Sequence, residues 1–392
     1  MTIALVERVW HGHIPVYYTA FCEFLSDLGH DFVAICPHPD RIASPRMIDS
    51  IRFAPPKLPV RPRRCQQWVD SFISNRWLRR TMRNWENTHD RKISLVVFAC
   101  ISDWDFVAFP RTANGFPWPW CGLYVHCRSF RLPGTAIPGA GTVPHPEKLY
   151  CHPNLHSVAV MDEAAVSYLS RLALGRPVSF FPDFIDGTPP ETGEIAQAML
   201  RFAAGRPIIV SPGHLQPSKG VATLGYAALD PANADFVFAF IGQLSGGFSP
   251  EEDAMIERLK TAPNVFMHLE PIGSDAHFNG VLQACDVVFA GYHDFPHSSN
   301  IMGKAAELKK PVIVSEGYLM AERARRYRSG EVVPQKDPAS LTAAIHRILP
   351  DKEAWIRQHQ PQWDLYRTET SRAAAKHAFA RLINGDGEIA SR

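Results

Sequence analysis

The sequence predicts an α/β fold of two doubly wound domains facing each other across a cleft. Short apolar runs alternate with segments of helical spacing, the order that a parallel sheet with crossover helices requires. The alternation occurs twice, on either side of "RPVSFFPDFIDGTPPETGE", a stretch rich in Pro, Gly and acids. At 392 residues, with 46% hydrophobic and 20% charged, the chain has the length for two cores at roughly 150 residues per domain.

Taken in order, Ile3 to Val6 reads as a strand, "HGHIPVYY" as a loop, Thr19 to Leu28 as a helix stopped by Gly29, and "HDFVAICP" as the second strand. Further strands are expected at Leu95 to Ala99, Leu123 to His126 and Ser157 to Val160, with a helix over Glu163 to Leu174. The pattern restarts with "RPIIVSPG", a helix, "DFVFAFIG", a helix over Pro250 to Lys260, "NVFMHLE", a helix near Ala276 to Ala284, "DVVFAGY", a helix and "PVIVSEG". The expected domains are residues 1–185 and 206–392, joined by a linker at 186–205. Ligands of such sheets bind beyond the carboxyl ends of the strands.

Several classes are excluded. A net charge of +2 is too small an excess to point to nucleic acid. The eight cysteines form no C-x-x-C pair and lie scattered through apolar segments, as reduced thiols of a cytoplasmic chain do. "MTIALVERVWHGH" lacks a basic region followed by a long apolar core, and no apolar run approaches the ~20 residues of a spanning helix. The expectation is a chain that is neither exported by that route nor integral to a membrane.

The chemistry concentrates in "FPHSSNIMGKAAELKKPVIVSEG", Phe295 to Gly317, where a polar cluster runs directly into a helix. The first turn of a helix carries amides without intrahelical partners and about half a positive charge from the summed peptide dipoles. Ser298, Ser299 and Asn300 are good capping residues that also suit a phosphate. On its own the cluster is equally a well-capped helix. The partner motif is "SPGHLQPSKG", Ser211 to Gly220, after the first strand of the second half. Gly213 allows a tight turn there, and Lys219 either projects a fixed positive charge or is merely solvated. Two anion-seeking loops at one sheet edge suit a diphosphate.

These residues resemble the retaining glycosyltransferases of family 4 (group 1), whose GT-B fold pairs two Rossmann-like domains. "GHLQPSKG" is similar to the family's G-R-x-x-x-x-K-G loop, with His214 in the arginine place. "PHSSNIMGKAAELKKPVIV" is similar to its E-x-F-G, helix, G-x-P-V-I region, and "GHDFVAICP" looks like its second strand. Aligned on Pro311, Pro296 and Lys304 take the places of the family's two glutamates, with His297 and Glu307 nearby. The resemblance implies a nucleotide diphosphate sugar as co-substrate, no cofactor and no metal. It assigns Gly213, His214, Lys219, Ser298, Ser299 and Asn300 to the donor diphosphate, and His297, Lys304 and Glu307 to the donor sugar or ribose. Lys219 and His126 carry the catalytic expectation. His126 follows "CGLYVHC" where family members place a histidine near the sugar, although a hydrogen-bonded histidine at a strand end is the plainer reading. His11, Gly12, His13 and Arg128 are expected on the acceptor side. The resemblance also implies retention, the leaving phosphate oxygen taking the acceptor proton, and a C-terminal helix that returns to the N-terminal domain.

Three segments have competing readings. "DWD", Asp103 to Asp105, matches a metal-binding tripeptide of the other large glycosyltransferase fold but is common by chance. "CHPNLH", Cys151 to His156, has metal-binding residue types without a closed set, as a loop does. Arg61 to Trp85 holds seven arginines and one acid among three tryptophans. It is either a helix packing its apolar stripe on the sheet or one lying peripherally on an anionic membrane, which would suit a glycan or lipid-linked acceptor. Two other functions stay open: a sugar-nucleotide 2-epimerase of this fold, which needs carboxylates and which the lost glutamates count against, and a catalytically silent binding partner, which the same losses favour.

Overall fold

Strands covered by helices on both faces need near-continuous apolar sequence, and the chain's apolar runs become such strands. The computed structural model describes residues 1–12, 14–59, 66–101, 109, 114–131, 150–173, 175–185 and 187–387. The described chain divides into two units, one of Met1–Pro182 with Ala373 onward, the other of Asp183–Arg372.

The first unit is built on β1 (Thr2–Val6), β2 (Asp31–Cys36), β3 (Met47–Arg52), β4 (Leu95–Ile101), β5 (Trp120–Tyr124), β6 (Leu155–Val160) and β7 (Val178–Phe180). They form one parallel sheet in the order β3-β2-β1-β4-β5-β6-β7. The second unit is built on β8 (Ile208–Pro212), β9 (Val237–Ile241), β10 (Val265–His268), β11 (Val287–Ala290), β12 (Val312–Ser315) and β13 (Gly330–Val333). Its order is β10-β9-β8-β11-β12-β13, again parallel. The central strands β1, β5 and β9 are buried at every position. In each sheet the order reverses once, between β1 and β4 and between β8 and β11, so each has a topological switch point.

Four expectations change. The segment read as a linker at 186–205 contains the helix Glu194–Ala203, whose Ala196, Met199 and Ala203 are buried in the second core. The "RPVSFF" stretch before it supplies β7, an edge strand paired to β6. The unit boundary therefore falls at Pro182 and Asp183, not at 185. The strand expected at Leu123 to His126 is β5, ending at Tyr124 and leaving His126 in the following loop.

The end of the chain returns to the first unit, so the second domain does not run to 392. On the helix Arg372–Asn384, Phe379 packs 4.5 Å from Phe21 and 5.8 Å from Phe24, ring centre to ring centre. Lys376 pairs with Asp27 at 2.7 Å, and the carbonyls of Leu382 and Ile383 bond Ser157 Oγ and His156 Nε2. The start of β6 is thereby covered.

Candidate functional site

The second switch point is built by the loops after β8 and β11, and backbone bonds fix one to the other. After Pro212, Gly213 turns with φ of +95° while its amide donates to Ile241 O at 2.8 Å. Leu215 bridges to Leu244, and a single 3-10 turn over Pro217–Lys219 leads into the helix Val221–Ala228. Gly220, at φ of +71°, lies so close to the other loop that a methyl group there would overlap the Gly291 carbonyl oxygen. Glycine is required for both reasons, the left-handed backbone and the close approach. The His293 amide donates to Ser218 O at 2.8 Å, and His293 Nε2 meets Thr223 Oγ1 at 3.0 Å. Burial first, then Lys336, lowers the His293 pKa below its ordinary value, which keeps the imidazole neutral near neutrality.

Lys219 and Ser299 converge on one residue, Tyr292. Lys219 Nζ stands 3.7 Å from the centre of the Tyr292 ring and 5.1 Å from that of Phe295. Ser299 Oγ lies 3.5 Å from the Tyr292 hydroxyl. Lys219 makes no ion pair among the described residues, so its charge is held by aromatic faces and stays available. Ser299 is the N-cap of the helix Asn300–Glu307, and its side chain makes no capping bond, leaving the first-turn amides to another acceptor. His214, in the β8 loop, is exposed. His297 packs edge-on against Phe295, ring centres 5.4 Å apart.

Ser298 has a different partner set from the one expected. Its Oγ accepts from Arg323 Nη1 at 2.6 Å and donates to Asp183 Oδ2 at 2.5 Å. Arg323 is 4% exposed and Asp183 8% exposed, so the hydroxyl is committed inside the unit and fixes the loop that ends in Ser299. Sequence reading missed Asp183 and Arg323 because they lie 115 and 25 residues from Ser298. Tyr292 and Phe295 carried a visible signal, two aromatics just beyond an apolar strand.

Lys304 and Glu307 do not join this cluster. Lys304 is buried, with Nζ donating to Asn279 Oδ1 at 2.9 Å and 3.5 Å from Asp275 Oδ1. Glu307 holds Arg367 through two bonds of 2.8 and 3.2 Å. Both line a separate cavity of about 300 Å³ with Ile185, Thr188 and Asn279. Their side chains are held by these partners on the helix face shared with Asn300, apart from the Lys219–Tyr292–Ser299 cluster.

In the first unit, His126 is exposed in the loop after β5, and Arg128 begins the short helix Arg128–Arg131. His11 and Gly12 are exposed in the loop after β1, whereas His13 and the "DWD" tripeptide lie outside the described residues. The same holds for residues 61–65 of the arginine-rich stretch, whose remainder is the helix Gln66–His89. In "CHPNLH", His152 Nδ1 accepts from Trp120 Nε1 and the Asn154 amide, both at 3.1 Å, so this histidine is a structural latch. Cys151 is exposed, unlike the buried thiols at 22, 36, 121, 127 and 285.

The carboxyl end of β1 holds an acid that sequence reading passed over. Glu7 is 3% exposed, and one oxygen accepts from the amides of Arg8 and Val9 at 2.6 and 3.0 Å. Its other oxygen has only the Cys100 thiol, a weak donor, near it, and burial raises the pKa to about 7 against the lowering effect of those amides. Arg8, pushed down to about 10 by burial, sends Nη1 to Asn75 Oδ1 at 3.3 Å.

Comparison with known proteins adds to this geometry. Residues 194–361 match the family described as glycosyl transferases group 1, a span that covers most of the second unit. This part of the chain carries a group 1 glycosyltransferase domain. No curated protein is similar to this glycosyltransferase in sequence. Among solved structures it is similar to a sucrose-phosphate synthase from Thermosynechococcus elongatus, with TM-score 0.71 and 19% identity over 98% of each chain. HepE of Anabaena in complex with UDP gives 0.67 at 14% identity, covering 98% of this chain and 100% of that one. WaaG, a glycosyltransferase involved in lipopolysaccharide biosynthesis, gives 0.64 at 10% identity over 98% and 100%. At such identities these likenesses establish the GT-B fold of the glycosyltransferase. Among the described residues no helix is long and apolar enough to cross a membrane.

Proposed function

We propose that this glycosyltransferase takes its sugar from a nucleotide diphosphate donor and delivers it to a hydroxyl on a glycan or lipid-linked acceptor. The donor's diphosphate lies between Lys219 and the first turn of Asn300–Glu307. One observation carries the reading: Lys219 and Ser299 share Tyr292 as a neighbour, on its ring face and its hydroxyl. A single anion beside that phenol meets a fixed charge from one side and unpaired amides from the other. The UDP present in the HepE structure and the UDP-2-fluoro glucose in an E. coli relative support a nucleotide sugar as the ligand class.

In the transfer, the bond between the anomeric carbon and the donor phosphate oxygen breaks, and a bond from the acceptor oxygen to that carbon forms. Negative charge develops on the departing diphosphate. Donors already oriented toward that charge contribute most, roughly 3 kcal/mol for one such hydrogen bond. Lys219, the amides of Ser299 and Asn300, and the turn at Gly213 fill this role without a metal. The resemblance favours retention, with the acceptor proton passing to the leaving phosphate oxygen, so no strong protein base is needed. Of the residues assigned to the sugar, His297 lies beside Phe295 in the same loop as Ser299.

Calorimetric titration with UDP, GDP and ADP tests the reading. One of the three should bind the parent and lose at least tenfold in affinity on Lys219→Ala, with the melting temperature unchanged. Equal affinity of parent and variant would overturn the site.

A further inference from the structure

The helix Gln66–His89 carries a feature that donor binding does not use. Arg76, Arg79, Arg80 and Arg83 line one cavity of about 370 Å³ together with Phe72, Asn75 and Asn84. Their spacing of three and four residues sets four guanidinium groups on one face, where like charges repel by a few tenths of a kcal/mol per pair. None of the four pairs with a carboxylate among the described residues; Arg83 lies over Trp118 at 5.9 Å. Two buried donors face the same space unsatisfied. Asn75 is 4% exposed, its Oδ1 taken by Arg8 and its Nδ2 without an acceptor, and Arg79 Nε is likewise without one. A buried donor left unmade costs about 1–3 kcal/mol, so charge and donors both call for an acceptor-rich anion.

We propose that this groove binds a phosphoryl group, bidentate to the arginines, on a ligand whose apolar portion lies against Phe72 and Trp68. Guanidinium forks match phosphate oxygens in geometry as well as charge. Trp68 and Phe72 stack at 5.9 Å and 8° and are 47% and 48% exposed, an apolar platform one turn before the arginines. The volume suits one phosphorylated headgroup or sugar and not a nucleic acid strand. Asn75 also ties the groove to Arg8, just past β1, at the carboxyl edge of the first sheet. All lining residues belong to the first unit, so the proposal stands apart from the donor reading.

The test uses the full chain and the double variant Arg76→Gln/Arg80→Gln, two exposed positions whose loss removes like-charge repulsion and no core volume. Inorganic pyrophosphate is titrated calorimetrically into parent and double variant, both carrying Lys219→Ala so that the donor site does not contribute. Phosphatidylcholine vesicles with and without phosphatidylglycerol are tested by co-sedimentation. Pyrophosphate binding that falls at least tenfold in the double variant assigns the groove to a soluble phosphorylated ligand. Binding confined to the phosphatidylglycerol vesicles, and lost in the double variant, assigns it to a lipid headgroup. Equal binding by both proteins, or none by the parent to either probe, overturns the proposal. Arg79→Gln, made separately, should give the same loss with an unaltered circular dichroism spectrum.

Discussion

The two switch points share a topology and differ in how they treat charge. After β8 and β11, glycines bring two loops into contact, and the cation of Lys219 lies on aromatic faces, outside any ion pair among the described residues. After β1, the ionisable group is a carboxyl sealed from water, with one oxygen fed by two amides and the other beside only a weakly donating thiol, that of Cys100. The first arrangement is ready for an incoming anion. The second suppresses its own charge and so steadies the strand end instead of greeting a ligand. Equivalent positions in a doubly wound sheet thus need not do equivalent work, and local electrostatics separates the edge proposed to bind the donor from the other.

The contrast can be broken at four places. Gly220→Val should have the largest effect, about 4 kcal/mol of lost stability, because it combines positive-φ strain with overlap on Gly291. Urea denaturation measures it, and a loss under 1 kcal/mol, on the scale of ordinary surface changes, would show that the loops are not clamped. Glu7→Gln acts on the other edge and in the opposite direction. Because the folded pKa is raised from 4.5 to about 7, the stability tied to the neutral acid is full below 4.5 and is lost as pH climbs through about 7. A glutamine does not ionise, so the variant should exceed the parent by about 3 kcal/mol near pH 8 and by little near pH 5. The same gain at both pH values would contradict the raised pKa.

Lys219→Ala should lower turnover about a hundredfold, the scale of one oriented charge at a departing anion, with little change in melting temperature. Steady-state kinetics with the donor found by titration would check it, and unaltered turnover would remove Lys219 from the chemistry. Tyr292→Leu should be mildest, about 1 kcal/mol of nucleotide affinity, through the lost cation–π seat of Lys219. If it matches Lys219→Ala in magnitude, the phenol contacts the ligand directly.

Much of the architecture was legible because buried strands write themselves as apolar runs. β1, β2, β9 and β12 could be read to within a residue or so. Edge strands could not: β3 alternates buried and exposed positions, and β7 is a three-residue piece inside a Pro-rich stretch. The helix Glu194–Ala203 was hidden by the acids and prolines before it, and only its three core contacts distinguish it from a tether. Within the site, Lys219 and Ser299 were readable from loop chemistry beside strand ends. Ser298 was read as a diphosphate ligand, and its bonds to Asp183 and Arg323 were not legible because both reach it from distant sequence. Glu7 was overlooked since one acid closing an apolar run looks like a strand terminus, and its burial is a property of the assembled sheet.

The docking of Phe379 between Phe21 and Phe24 has a consequence for biogenesis. Those phenylalanines are synthesised before the whole of the second unit and their cover after it. The first unit is therefore completed only once the second has been made, and until then it presents an uncovered aromatic surface suited to capture by a chaperone.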